Sequence, residues 1–214
     1  MLNKEELANL RRTWSTRKLD ETSVGKNPMD QFSLWMQEAI EAQILDPNAM
    51  TLATSDSEGN PSARIVLLKG IDEKGLVFFT NYGSKKSGDL SENPKAAVVF
   101  LWKELERQLR VTGNVVKVSK EESGEYFKSR PYESRIGAWA SNQSSIVPDR
   151  NYLEEKFEEA KKKFPMEVPL PDFWGGFRII PERFEFWQGR ESRMHDRIAY
   201  IKENGDWKIV RLAP

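Results

Sequence analysis

Between Met50 and Leu212 the apolar and β-branched residues gather in short runs, and a turn signal closes most runs before the next begins. Met50 to Ser55, Ala63 to Leu68 and Leu76 to Thr80 are separated by Ser57-Glu58-Gly59-Asn60 and Asp72-Glu73-Lys74-Gly75. Runs of this length with such spacers predict an antiparallel meander. Ala96 to Trp102 and Gln108 to Val118 add two strands. After Val168-Pro169-Leu170-Pro171 the pattern returns at Gly176 to Ile180, Phe184 to Trp187, Ile198 to Lys202 and Trp207 to Leu212. Helical periodicity is confined to blocks between strands. Pro28 to Ile44 carries Phe32, Trp35, Met36, Ala39, Ile40 and Ile44 at three- and four-residue steps behind a proline start. Ser84 to Glu92 ends at Asn93-Pro94; Ser119-Lys120-Glu121-Glu122 opens a helix that Pro131 stops near Arg130; Tyr152 to Phe164 forms another. Helices bunched between sequential strands, rather than alternating with them, predict a mainly β (α+β) chain: a β-barrel with peripheral helices, not a doubly wound sheet. One domain spanning 1–214 suffices for this length. Within it the charged stretch before Pro28 reads as a short helix and a mobile arm, 1–27.

Composition removes whole classes of chemistry. The chain has no cysteine, so thiol nucleophiles, thiolate metal sites and disulfides are excluded, and redox work would require a bound cofactor. A single histidine, His195, excludes two-histidine metal sites. Lys+Arg and Asp+Glu number 33 each, so no global field draws the chain to nucleic acid or to an anionic membrane, and any anion site must be local. The apolar runs are strand-sized and the first residues are charged, which predicts no membrane span and a cytoplasmic location.

Four segments could carry local chemistry. Arg64-Ile65-Val66-Leu67-Leu68-Lys69 sets a cation near each end of a strand, on opposite faces; it is either a buried strand with solvated ends or a holder of two anionic groups. Thr80-Asn81-Tyr82-Gly83-Ser84-Lys85-Lys86 leaves a strand and enters a helix with backbone N–H groups, a hydroxyl and two lysines, as a phosphate requires, although an ordinary surface would read the same way. Tyr126, Arg130 and Ser134 recur at four-residue spacing, and Pro131 places Arg130 at an element boundary. In Arg193-Met194-His195-Asp196-Arg197, a strand would put Arg193, His195 and Arg197 on one face, where an anion or an electron-rich ring would offset their repulsion.

Arg64-Ile65-Val66-Leu67-Leu68-Lys69 and Arg193-Met194-His195-Asp196-Arg197, with Glu106-Arg107-Gln108, Tyr126-Phe127-Lys128-Ser129-Arg130-Pro131, Ile136-Gly137-Ala138-Trp139, Asn142-Gln143-Ser144-Ser145, Phe173-Trp174-Gly175-Gly176 and Phe186-Trp187-Gln188-Gly189, resemble the pyridoxamine 5′-phosphate oxidase family in order and spacing, from about Leu10 to Pro214. The resemblance implies an FMN-binding split β-barrel working as a homodimer, with the flavin at the subunit interface. It implies FMN contacts from Arg64, Ile65, Val66, Leu67, Leu68, Lys69, Phe79, Thr80, Lys85, Lys86, Gln108, Gln143, Ser144, Trp187 and Arg197. It further implies a substrate phosphate held by Lys69, Tyr126, Arg130 and Ser134, and a pyridine ring against Arg193, Met194 and His195, with Arg193 and His195 at the reacting centre. Arg11-Arg12-Thr13-Trp14 resembles a lid over the substrate. Three positions depart from the family's habit: Lys85 stands for arginine, Arg135 for glutamine and Trp14 for tyrosine. The implied reaction oxidises pyridoxamine or pyridoxine 5′-phosphate to pyridoxal 5′-phosphate with dioxygen as acceptor and hydrogen peroxide as product. Two other readings compete with it: a split-barrel flavin or deazaflavin reductase of another substrate, and a non-catalytic barrel that binds single-stranded nucleic acid through tryptophan and arginine.

Overall fold

A computed structural model of the chain describes residues 17–214, and the expectations for Arg11, Arg12, Thr13 and Trp14 lie outside them. The described residues fall into two compact units, each assembled from separate stretches of chain. The larger takes Asn48–Val98 and Val111–Glu182; the smaller takes, of the described residues, 17–47, Val99–Arg110 and Arg183–Pro214. No helix among the described residues is long and apolar enough to cross a membrane.

The larger unit starts with a hairpin of β1 (Ala49–Ser55) and β2 (Pro61–Leu67), in register from Ala49 opposite Leu67 to Ser55 opposite Pro61. Its turn is local chemistry. Asp56 Oδ1 accepts from the backbone N–H of Glu58 (3.1 Å) and Asn60 (2.9 Å), and Gly59 takes the φ of +84° that the reversal needs. β3 (Gly70–Asp72) and β4 (Gly75–Asn81) form the next hairpin; β3 is a three-residue strand that the sequence hides inside a turn. With the segments of β5 (Lys95–Trp102), β6 (Arg107–Lys117) and β7 (Trp174–Gln188) that belong to this unit, the order is β2-β1-β5-β6-β7-β4-β3.

Four helices complete this unit: α2 (Lys85–Glu92), α3 (Lys120–Ser129), α4 (Tyr132–Ala140) and α5 (Arg150–Lys163), the label α1 being kept for Pro28–Glu41 of the smaller unit. Ser119 caps α3 by accepting from Glu122 N–H at 3.1 Å, as its spacing predicts. Pro131 ends α3 and also opens α4, a helix absent from the sequence reading. What holds α4 is distant in sequence: Ile136 is fully buried, Tyr132 OH donates to Phe164 O (2.8 Å), and Trp139 Nε1 donates to Pro169 O (2.8 Å).

The smaller unit builds its core from α1 and the chain that packs on it. Trp35 meets Phe186 edge-on at 5.0 Å and Phe32 lies 5.1 Å from Phe100, all four fully or almost fully buried. Burial of each such side chain stabilises by about 1.5–3 kcal/mol. The end of β7 pairs with β8 (Asp196–Glu203), which pairs with β9 (Asp206–Arg211).

Gly176 to Ile180 and Phe184 to Trp187 are not two strands but parts of the single strand β7. Pro181 suggested a break because it cannot donate to a ladder. It falls between the pairing of Leu76 with Ile179 and that of Arg183 with Ile201, where one edge of the strand changes partner from β4 to the chain after it. Opposite this point a Cβ on Gly113 would come within 2.0 Å of Ile180 O. Gly113→Ala is expected to cost about 2–3 kcal/mol, read as a lower urea midpoint; an unchanged midpoint would refute that close approach.

Candidate active site

Five cationic side chains, Arg64, Lys69, Lys85, Lys86 and Arg130, line a cavity of about 680 Å³ in the larger unit. β2 delivers the first of them. Along it Arg64 and Val66 are half-buried while Ile65 and Leu67 are 64% and 41% exposed, the period-two alternation read from the sequence. The alternation stops at Leu68, which is buried, its N–H donating to Asn48 O (2.9 Å). Lys69 then donates its N–H to Val77 O (2.8 Å), so the chain passes from β1 to β4, and Lys69 lines the same cavity as Arg64.

At the end of β4 the chain turns into α2. Asn81 Oδ1 accepts from Gly83 N–H at 2.7 Å and Ser84 is the N-cap residue of the helix, without a side-chain capping bond, which sets Lys85 and Lys86 on its first turn. Lys86 is nine-tenths buried and donates to Thr80 Oγ1 (3.0 Å), Ser84 Oγ (3.1 Å) and Gln143 Oε1 (3.1 Å). None of these acceptors is charged. Burial, with a smaller push from Arg64, lowers its pKa to about 8. Arg64 donates to Leu52 O (3.2 Å), Thr54 Oγ1 (2.7 Å) and Ser62 Oγ (2.6 Å).

Behind these cations lies Asp89, 3% exposed, which the sequence reading passed over. It accepts from Lys85 Nζ (2.8 Å) and Thr54 Oγ1 (2.7 Å), and Arg64 Nη2 stands 3.8 Å away. Burial alone would raise its pKa; those hydrogen bonds outweigh it and hold the carboxylate ionised. The i,i+4 spacing of Lys85 and Asp89 was the available clue.

The opposite wall is aromatic. Phe79 stacks on Tyr126 (4.1 Å, 17°) and on Trp174 (5.6 Å, 7°), and the Arg130 guanidinium lies 4.8 Å over the Trp174 ring. Arg130 is the C-cap residue of α3, the boundary its proline neighbour predicts, and its Nη1 is buried without a hydrogen-bond partner. Burial lowers its pKa from the ordinary arginine value. Gln143 and Ser144 reach the cavity from the segment after α4, with Ser144 Oγ accepting from Lys85 N–H at 3.3 Å. Ser134 sits half-buried on α4 and, like Leu68, is not among the lining residues. Trp174, Asn81 and Ser62 line the cavity without having been given a role; Trp174 lay within a recognised motif and Asn81 within the turn that enters α2.

The remaining expected residues belong to the smaller unit: Gln108 on β6, Trp187 on β7, Arg193, Met194 and His195 in the β7–β8 loop, and Arg197 on β8. The strand geometry for Arg193, His195 and Arg197 does not hold. Glu191–Arg193 is a 3₁₀ turn, β8 begins at Asp196, and only Arg197 is on a strand. Alternation failed because Ser192 and Arg193 adopt φ of +56° and +61°, which no strand allows. His195 packs on Trp187 (4.6 Å between ring centres), and its Nδ1 accepts from Arg190 N–H at 3.0 Å. Burial first, and then the Arg193 charge, lowers its pKa, which keeps the imidazole neutral near pH 7 with its proton on Nε2. Arg197 donates to Glu185 Oε1 through Nε (2.9 Å) and Nη2 (2.8 Å), and to Ala213 O (2.7 Å).

Comparison with known proteins gives this geometry its context. Residues 36–164 match the family described as pyridoxamine 5′-phosphate oxidase, and residues 174–214 match the pyridoxine 5′-phosphate oxidase C-terminal dimerisation region. A pyridoxine/pyridoxamine 5′-phosphate oxidase of Cupriavidus necator is 56% identical over 210 residues, covering 98% of this chain and 99% of the relative. A protein of the same name from Trichormus variabilis is 53% identical over 210 residues, covering 97% and 98%. Among solved structures, PhzG from Burkholderia lata, in complex with tetrahydrophenazine-1-carboxylic acid, superposes with a TM-score of 0.89 at 27% identity, covering 95% of this chain and all of that one. An FMN-binding protein from Nostoc punctiforme, related to pyridoxamine 5′-phosphate oxidase, has a TM-score of 0.73 at 15% identity, covering 89% and 100%; that likeness speaks for the split-barrel fold alone. With the motifs in register along the whole described chain, the protein belongs to the pyridoxamine 5′-phosphate oxidase family.

Proposed function

We propose that the chain is an FMN-dependent oxidase that converts pyridoxamine and pyridoxine 5′-phosphate to pyridoxal 5′-phosphate, acting as a homodimer. The observation that carries this reading is the charge of the cavity. Arg64, Lys69, Lys85, Lys86 and Arg130 line it, and among the described residues no carboxylate does. Such an excess suits two phosphate esters better than one. The buried Lys86 charge and the unpartnered Arg130 Nη1 each await an anion, so the residues present fit the cofactor and the substrate.

In this reading Arg64, Lys85, Lys86 and Ser144 hold the FMN phosphate, and Ile65, Val66, Leu67, Thr80 and Gln143 line the rest of its site. Tyr126, Arg130 and Lys69 take the substrate phosphate. Gln108, Trp187 and Arg197, with Arg193, Met194 and His195 on the substrate side, complete the site in the dimer, with the cofactor between subunits. Bound there, the flavin supplies a two-electron acceptor for the substrate's exocyclic carbon and a route for those electrons to dioxygen. The overall change is balanced: amine, dioxygen and water give aldehyde, ammonia and hydrogen peroxide, while the alcohol gives aldehyde and peroxide without water. The protein's task is placement. Arg193 offers charge to the substrate ring, and neutral His195 offers the Nε2 proton as a hydrogen bond, which fixes the reacting carbon and makes the transfer effectively unimolecular.

The purified protein is expected to be yellow, or to become so with added FMN, and to form pyridoxal 5′-phosphate and peroxide in equal amounts from pyridoxamine 5′-phosphate under air. A yellow protein inactive on both substrates would favour the reductase reading. A colourless protein that does not take up FMN would overturn both.

A further inference from the structure

The β7–β8 loop, residues 189–195, carries two consecutive non-glycine residues in left-handed backbone, Ser192 and Arg193. Such backbone persists only where surrounding contacts over-determine it. Those contacts converge on one carboxylate. Asp196, the first residue of β8, receives the Arg190 guanidinium on Oδ2 at 3.2 Å, and the backbone N–H of the same Arg190 donates to His195 Nδ1 at 3.0 Å. The loop is thereby closed on itself through both ends of one arginine. Asp196 Oδ2 also accepts from Leu19 N–H (3.1 Å), and Oδ1 from Arg211 Nη1 (2.8 Å). Arg211 in turn grips the strap Leu19–Glu21: it donates to Glu21 through Nε (2.8 Å) and Nη2 (2.7 Å) and to Leu19 O (3.2 Å), with Asp20 at 3.6 Å. The Asp196 carboxylate is thus the shared anchor of the loop that presents Arg193 and His195, of the strap and of the C-terminal strand β9.

We propose that Asp196 and Arg211 are positioning residues: they hold the Arg193–His195 loop in its strained, substrate-ready form by clamping it to the Leu19–Glu21 strap, without touching substrate or cofactor themselves. This rests on the reading of that loop as a wall of the substrate site. The cations that hold the FMN phosphate lie elsewhere in the sequence, on β2 and α2, and Arg197, next to Asp196, is held by Glu185 and Ala213 O rather than by the clamp, so the clamp governs substrate affinity separately from cofactor affinity. Loss of the clamp lets the loop leave the left-handed region, and substrate binding must then restore it, which appears in KM.

The test uses the FMN-loaded enzyme with Asp196→Asn, Arg211→Ala and the double variant. Each single variant is expected to raise KM for pyridoxamine 5′-phosphate about tenfold, with kcat within about threefold of the parent. The Kd for FMN, from quenching of flavin fluorescence on titration into apoprotein, should stay within about twofold. The double variant should be no worse than the more affected single one, because both act through one loop. Unchanged KM in both single variants overturns the proposal. So does a joint loss of KM, kcat, FMN affinity and melting temperature, which would mark a merely structural pair. Should Asp196→Asn fail to fold, Arg211→Ala carries the test, its side chain being 39% exposed. Arg193→Ala separates the two levels: if it leaves KM and kcat unaltered, the reading of the loop falls; if it impairs them while the clamp variants do not, only the positioning role falls.

Discussion

Arg193→Ala is expected to lower kcat/KM for pyridoxamine 5′-phosphate by about 10²–10³-fold while the protein still purifies with FMN. The structure isolates this residue well. Its side chain is exposed and makes no hydrogen bond or ion pair with the described residues, so little folding energy rests on it. Alanine is also a fair replacement, since it meets the same steric cost as arginine at φ +61°, whereas glycine would relieve that cost and change the loop. The expected loss therefore reports on the substrate, with steady-state kinetics and the flavin spectrum as its two measurements. A variant with parental kcat/KM would remove Arg193 from the site.

How much of this was legible in the sequence depends on the range of the interactions responsible. The β1–β2 hairpin and the capped start of α3 are written within a few residues, and there pattern and structure agree. α4 was not read, because Tyr132 and Trp139 find their partners at Phe164 and Pro169, about 30 residues away. β7 was divided at Pro181, because the cost of a missing N–H depends on what stands opposite. The site shows the same division. The cations and their turn could be listed from the chain, as could the boundary position of Arg130. Asp89, which holds two of those cations in place, is a buried acid on a helix, and nothing beyond its spacing from Lys85 distinguishes it. The Arg193, His195 and Arg197 alternation mimics a strand, and only the contacts of Asp196 with Leu19, Arg190 and Arg211 show why the backbone there turns left-handed.

Lys86→Met is expected to weaken FMN binding by about 10²–10³-fold and, in the same protein, to leave the cofactor-free form as stable as the parent or more so. The two effects have one cause. The buried ammonium has hydroxyl and amide acceptors but no carboxylate, so without an anion the folded protein bears an incompletely compensated charge. Methionine fills the same volume without it. Thr80 Oγ1 can still donate to Gln143 (2.9 Å), and Ser84 can still pair with Ser87 (3.1 Å), so few polar atoms are orphaned. The sign of the pH dependence follows. The folded-state pKa of about 8 lies below the lysine's ordinary 10.5, so the cost to the cofactor-free protein is complete below pH 8 and fades as pH rises from 8 to 10.5. FMN reverses the balance, because its phosphate favours the ammonium and binding takes up a proton above pH 8. Its affinity in the parent should therefore fall by up to about tenfold per pH unit above 8, and this slope should vanish in Lys86→Met. Flavin-fluorescence titrations at pH 7 and pH 9, with thermal melts of both cofactor-free proteins, measure each arm. Parental affinity in Lys86→Met, or an equal slope in both proteins, would show that the phosphate is held elsewhere.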